Sequence, residues 1–171
     1  MNNITLIGMP GSGKSTVGVL LAKALGYGFL DTDLVIQQRE GLLLQDILDQ
    51  FGVKHFLQVE EEAIRTVDCR RTVIAPGGSA VCRAGAIGHL RALGRVVYLH
   101  VPLPELERRI HNITTRGIAM APGQTLADLY AYRAPLYERF AGAAVDVAGD
   151  TLEQTVAAVL RALGGRFPPR L

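Results

Sequence analysis

Gly8-Met9-Pro10-Gly11-Ser12-Gly13-Lys14-Ser15-Thr16 has the residue types and the spacing of a loop that cradles nucleoside triphosphate phosphates. Glycines let consecutive backbone N–H groups crowd an anion, and a helix start placed just behind them favours negative charge. Lys14 is positioned to reach the β- and γ-phosphates, and the Ser15 hydroxyl to bind Mg²⁺. Gly11, Ser12, Gly13, Lys14, Ser15 and Thr16 are thus the expected ATP-binding residues. The motif is strong because of its setting: the apolar run Ile4-Thr5-Leu6-Ile7 precedes it, and Val17, Leu20, Leu21 and Leu25 follow at helical spacing.

A second group of chemical interest is Asp31-Thr32-Asp33. It ends a predicted strand, at the sheet edge where open α/β proteins bind ligands. On an extended segment the two carboxylates point the same way, one toward a metal ion and one toward an acceptor hydroxyl. Either can also serve as the N-cap of the next helix, and Asp33 is well placed for that. Arg133 lies one turn beyond Leu129, on the apolar stripe of a predicted helix, so it need not be merely solvated, and Pro135 is expected to kink that helix nearby. His55, His89, His100 and His111 share no metal-ligand spacing, and no role is assigned to them.

The elements that must position these groups alternate. Strands are predicted at 4–8, 28–31, 72–75, 96–100 and 144–147, all apolar runs suited to a parallel sheet covered on both faces. Helices are predicted at 14–25, 33–40, 44–51, 55–69, 85–93, 104–111, 125–140 and 151–163. The last carries Thr151 and Gln154 in capping-box spacing and stops at Gly164-Gly165. Two segments interrupt the alternation. Two or three helices fall between the second and third strands, and 112–124 contains Gly and Pro with no clear period, as lids often do. The chain is thus divided into a core (1–33, 72–111, 125–164), a helical acceptor-binding insert (34–71), a lid (112–124) and a loose tail (165–171) within a single domain, 1–171.

With 171 residues, 49% of them hydrophobic, the chain can bury one sizeable core but not two full domains. A formal charge of +2 gives no reason to expect a nucleic acid or membrane partner. No apolar run nears the roughly 20 residues of a membrane span, and the loop motif begins too near Met1 for a signal peptide. Cys69 and Cys82 fit no disulfide framework or metal spacing, which suits reduced thiols. The expectation is a monomeric cytoplasmic enzyme acting on ATP and a small molecule.

Taken together, GMPGSGKST, DTD, PGGSAV at 76–81, the basic segment around 116 and RAPLY at 133–137 resemble the shikimate kinase family, within the nucleoside-monophosphate-kinase-like branch of phosphate-loop proteins. The resemblance runs along most of the chain. It implies an α/β, three-layer phosphate-loop NTPase fold with a five-stranded parallel sheet in the order 2-3-1-4-5. It implies ATP as phosphoryl donor, Mg²⁺, and a hydroxyl of a small carboxylated acceptor, shikimate in the leading case, as recipient. Asp31, with Ser15, is implied to hold Mg²⁺, usually through water, and Asp33 to bind the acceptor hydroxyls and take a proton. Gly77 and Gly78 are implied to approach acceptor and γ-phosphate, Arg133 to grip the acceptor's carboxylate, Arg116 to close over the phosphates, and Arg109 to lie near adenine. For Arg109 a plain ion pair with Glu105 one turn earlier is an equal alternative.

Three positions depart from the family pattern. Ser79 replaces the third glycine of a G-G-G turn. Gly117 replaces a proline, which points to a more flexible lid. Leu57 replaces the arginine of F-R-x-x-E, which in the family joins the RAPLY arginine on the substrate carboxylate. One charge-assisted contact of this kind amounts to about 1.5–3 kcal/mol, or roughly one to two decades in affinity. Lys54, His55 and Arg65 are the nearby cations that could compensate, and Glu60 could orient Arg133 or be an exposed acid like Glu61 and Glu62. Two other readings stay open: a kinase of the same build for another hydroxylated metabolite, and a nucleotide-binding regulatory module without transfer activity.

Overall fold

The computed structural model describes residues 3–110, 117–147 and 149–164. Five strands, β1 (Asn3–Ile7), β2 (Gly28–Asp31), β3 (Thr72–Ala75), β4 (Gly94–His100) and β5 (Ala143–Asp146), form one parallel sheet in the order β2-β3-β1-β4-β5. Among the described residues, seven helices accompany them: α1 (Lys14–Leu25), α2 (Thr32–Glu40), α3 (Leu44–Arg65), α4 (Ala84–Leu93), α5 (Leu103–Arg109), α6 (Leu126–Phe140) and α7 (Leu152–Ala162). A 3₁₀ turn spans Ala80–Cys82. The predicted fold class is the one observed.

Every residue of β1 is buried, which is why it reads as an uninterrupted apolar run and takes the sheet's centre. Its one amide, Asn3, is 2% exposed and fully used. Nδ2 donates to the carbonyls of Cys69 (2.7 Å) and Leu93 (3.3 Å), and Oδ1 accepts from the Thr72 N–H (3.0 Å). The entrances of β1 and β3 and the end of α4 are thereby tied together. The main core lies around β1, β4 and β5, including Leu6, Leu21, Leu99 and Tyr137.

The insert buries a smaller cluster of its own. Ile36, Leu44, Ile47, Phe56 and Val59 of α2 and α3 pack with Ala119 from the segment after residue 116. The two helices predicted at 44–51 and 55–69 are present within α3 as two helical segments, separated at Gly52, whose φ 78° and ψ 171° are not helical. It stops at Arg65, short of Cys69, because Thr66 turns its N–H and hydroxyl back onto the Ala63 carbonyl. The capping box at Thr151 and Gln154 forms as predicted, and α6 has a second one from Thr125 and Asp128. Helix α6 continues through Pro135. Residues 112–116 of the expected lid and the expected tail, 165–171, lie outside the described residues.

Asn3→Ala leaves an N–H and two carbonyls unpaired in the interior. The expected cost is about 2 kcal/mol, or roughly 4–8 °C in melting temperature, checked by thermal unfolding, with ATP affinity unchanged because the lesion is at the far end of the strands.

Candidate functional site

The strand order sets the carboxyl ends of β1, β2 and β3 beside one another, and the loops leaving them enclose a cavity of about 270 Å³. From the first loop come Gly11, Gly13, Lys14, Ser15 and Thr16; from β2 and α2, Asp31 and Asp33; from the turn after β3, Gly77 and Gly78; from α5 and α6, Arg109 and Arg133. Ser12 is buried in the loop and does not line the cavity. Arg116 lies outside the described residues.

Gly13 explains how the loop presents its amides. It is the N-cap of α1 in the left-handed region (φ 89°, ψ 15°), and no side chain caps the helix, so the first-turn N–H groups are left for an anion. Lys14 Nζ donates to the carbonyls of Gly8 and Met9, both at 2.9 Å, which holds the ammonium at the loop.

Asp31 does two jobs at once. Oδ2 accepts from Ser15 Oγ at 2.7 Å, and Oδ1 accepts from the Asp33 N–H at 3.0 Å, making Asp31 the N-cap of α2. The pair therefore does not alternate along an extended strand, and Asp33 is not the cap. Helix α2 begins one residue earlier than predicted, so Asp33 sits in its first turn and reaches the cavity from there. Ser15 Oγ and the Asp31 carboxylate supply hard oxygens at one point, which suits Mg²⁺, an ion that takes few protein ligands beside substrate phosphates. Burial, with Asp31 adding to it and Lys14 opposing, raises the Asp33 pKa to about 6.

Neither Gly77 nor Gly78 has φ in the left-handed region; what they provide is room. A Cβ at Gly77 would overlap Glu60 Oε1 and stand 3.0 Å from Asp33 Oδ1, and one at Gly78 would stand 3.0 Å from Pro10 Cδ and 3.3 Å from Arg133 Nη1. Ser79, at φ −84° and ψ −7°, occupies a region open to any residue, so the absence of a third glycine does not strain the turn.

Arg133 is 2% exposed, donates from Nη2 to the Ala119 carbonyl (2.8 Å) and has an unpartnered Nε. Glu60 is fully buried and lines the cavity, whereas Glu61 is partly buried and paired with Arg83 (2.8 Å) and Glu62 is exposed. Its Oε2 accepts from Ser79 Oγ at 2.6 Å, and its Oε1 has no partner. Burial raises its pKa to about 7; the Ser79 hydrogen bond opposes this, Asp33 adds to it, and Arg133 and Lys14 oppose it. Arg109 makes the ion pair expected with Glu105, Nε to Oε1 at 2.8 Å, and its Nη atoms lie 3.5 Å from the carbonyls of Gly11 and Val147.

Leu57 is half-buried in the α2/α3 cluster and not in the cavity. Lys54, His55 and Arg65 are exposed, and none of them lines the cavity. Among the described residues, the cations at the cavity are Lys14, Arg109 and Arg133. Gly117 is pinned as well as lacking proline, since its N–H donates to Gln45 Oε1 (3.1 Å), a bond that proline cannot make. Tyr137 was not singled out from the sequence, yet its hydroxyl donates to the Gly78 carbonyl at 2.6 Å and its ring stacks on Tyr98. Its position four residues after Arg133, on the same helix face, was the available signal.

A protein-family model described as "Shikimate kinase" matches residues 10–164. The shikimate kinase of Mycobacterium avium is 40% identical over 166 residues, covering 95% of this chain and 92% of the relative. That of Pseudomonas aeruginosa is 40% identical over 174 residues, covering 99% and 100%. The solved structure of shikimate kinase from Acinetobacter baumannii in complex with shikimate superposes with a TM-score of 0.88 at 29% identity, covering 98% of this chain and 96% of that one. With a matched family model over most of its length, and the loop, carboxylates and buried arginine gathered at one cavity, the chain belongs to the shikimate kinase family.

Proposed function

We propose that this protein transfers the γ-phosphoryl group of ATP to a hydroxyl of shikimate, giving shikimate 3-phosphate. The carrying observation is that one 270 Å³ cavity is lined at once by a phosphate loop, by the buried carboxylate of Asp33 and by the buried guanidinium of Arg133. Family membership and the likeness to a relative solved with shikimate support the reading.

The loop amides with Ser12 and Thr16, together with Lys14, would hold the triphosphate, and Arg109 would lie beside the base. Ser15 and Asp31 would hold Mg²⁺, which would offset the charge of the phosphates during transfer. Arg133, already buried and anchored by Ala119, would grip the acceptor's carboxylate with its planar fork. Asp33 would then hold the reacting hydroxyl and take its proton as the phosphoryl group arrives, with Gly77 and Gly78 leaving space for that approach. Arg116 would add positive charge as transfer proceeds. The insert, 34–71, and the segment 112–124 would form the acceptor site and its cover. We further propose that the protein works as a monomer in the cytoplasm.

A second acceptor is favoured by one observation, Leu57, which supplies no cation to the cavity. The rival is a different hydroxylated metabolite phosphorylated by the same machinery.

A coupled ADP-release assay with Mg-ATP is expected to show steady turnover with shikimate at millimolar concentration or below, and Lys14→Ala to abolish it. ATP binding without acceptor-dependent ADP release from shikimate or from a panel of hydroxy acids and polyols would instead mark a regulatory module. Leu57→Arg is expected to lower the KM for shikimate roughly tenfold or more; no change, or a rise, would show a pocket shaped for another acceptor. A third expectation concerns pH. Asp33 accepts a proton only when ionised, so kcat/KM for the acceptor should fall as pH drops through about 6. Asp33→Asn should lower kcat by about 10²–10⁴. Glu60→Gln should retain the limb near 6; its disappearance in that variant would assign the limb to Glu60.

A further inference from the structure

Position 57 lies three residues before Glu60 on α3, so a side chain there shares a helix face with Glu60. It is leucine, packed into the α2/α3 cluster, and it offers Glu60 no charge. The groups that do face Glu60 come from four places: Asp33 on α2, Ser79 and Cys82 at the 3₁₀ turn, Arg133 on α6 and Lys14 at the phosphate loop. Of the two cations, Lys14 bonds the Gly8 and Met9 carbonyls. Arg133 is near enough for its charge to act on Glu60, yet no ion pair joins them, and its Nε has no partner. What Glu60 has instead is the 2.6 Å bond from the Ser79 hydroxyl, between two side chains that are 0% and 4% exposed.

A buried carboxylate with one neutral donor has two further sources of relief, a proton or the nearest guanidinium. Without the hydroxyl, Glu60 can turn onto Arg133 and occupy the fork that an acceptor's carboxylate needs. The backbone at 79 makes no demand for serine, so the hydroxyl is the feature with a consequence. We infer that Ser79 is a positioning residue of the acceptor site: its hydroxyl holds the Glu60 carboxylate away from Arg133 and so keeps that arginine open for the acceptor's carboxylate, a task left to it because residue 57 is leucine. The reference to the acceptor rests on the function proposed above; the restraint on Glu60 does not.

Two measurements separate the claims. In the first, Ser79→Ala should raise the KM for shikimate about tenfold while kcat and the KM for ATP stay within about twofold, and Ser79→Thr should restore most of the loss. In a Glu60→Gln background, where a neutral amide does not compete for Arg133, the same change should cost less than about twofold. An unaltered KM, a loss of equal size in both backgrounds, or a parallel loss of ATP affinity overturns the inference. The second needs no substrate: ¹³C NMR titration of the labelled Glu60 carboxyl. Removing a hydrogen bond alone raises its midpoint, whereas pairing with Arg133 lowers it. A midpoint lowered by about one unit in Ser79→Ala, and not in Ser79→Ala combined with Arg133→Met, supports the inference; a rise or no change overturns it. Ser79→Gly serves in both if alanine impairs folding. Absent turnover by the wild-type protein sinks the shikimate reading alone, and the titration then decides this one.

Discussion

Backbone approaching backbone and side chain at Gly77 and Gly78 is the constraint on which the rest of the site depends. There is no room for a Cβ at Gly77 between Glu60 and Asp33, and little at Gly78 between Pro10 and Arg133. Four elements therefore converge on two residues: the phosphate loop, α2, α3 and α6. Tyr137 fixes the turn from the far side by its bond to the Gly78 carbonyl, and stacks on Tyr98 of β4. The close packing of donor loop and acceptor side chains is a consequence of this missing volume. A phosphoryl group needs only a short path between them.

Crowding has an electrostatic price. Burial raises the pKa of both Asp33 and Glu60, to about 6 and about 7, with Asp31 adding to the rise at Asp33 and Asp33 adding to that at Glu60. Among the described residues, three cations and a handful of hydrogen-bond donors are shared among these carboxylates, Asp31 and the incoming anions. The sharing is specific: Ser15 and the Asp33 amide go to Asp31, Ser79 goes to Glu60, and Ala119 orients Arg133. Each bond made inside the site decides which charges are left to meet a ligand. In such a place a hydroxyl can matter as much as a cation, because it satisfies a carboxylate without consuming positive charge.

Much of the fold was legible because its signals are local. Strand β1 is apolar throughout since both its faces are covered, the α7 cap depends on residues three apart, and a phosphate loop is a contiguous string. Arg133 was recognisable as more than a solvated side chain from its place on the apolar stripe of α6. Glu60 was not separable from Glu61 and Glu62, because a run of three acids on one helix carries no local mark of which one turns inward. The role of Asp31 as cap hung on where α2 starts, one residue earlier than its pattern suggests. Gly117 reads as loss of proline; only the contact with Gln45, 72 residues away, shows what its N–H does.

The amino-acid sequence by itself determined that the chain binds phosphate through a loop between strand and helix, that parallel strands alternate with helices, and which residue types are available for transfer. These follow from spacing along the chain, where the physics is the geometry of one turn or one strand. The tertiary structure decided which carboxylates are buried, which cation faces which anion, and that the Ser79 hydroxyl is the group bonded to Glu60. Such pairings depend on burial and on charges brought together from distant parts of the chain, and both exist only once α2, α3 and α6 have closed around the turn after β3.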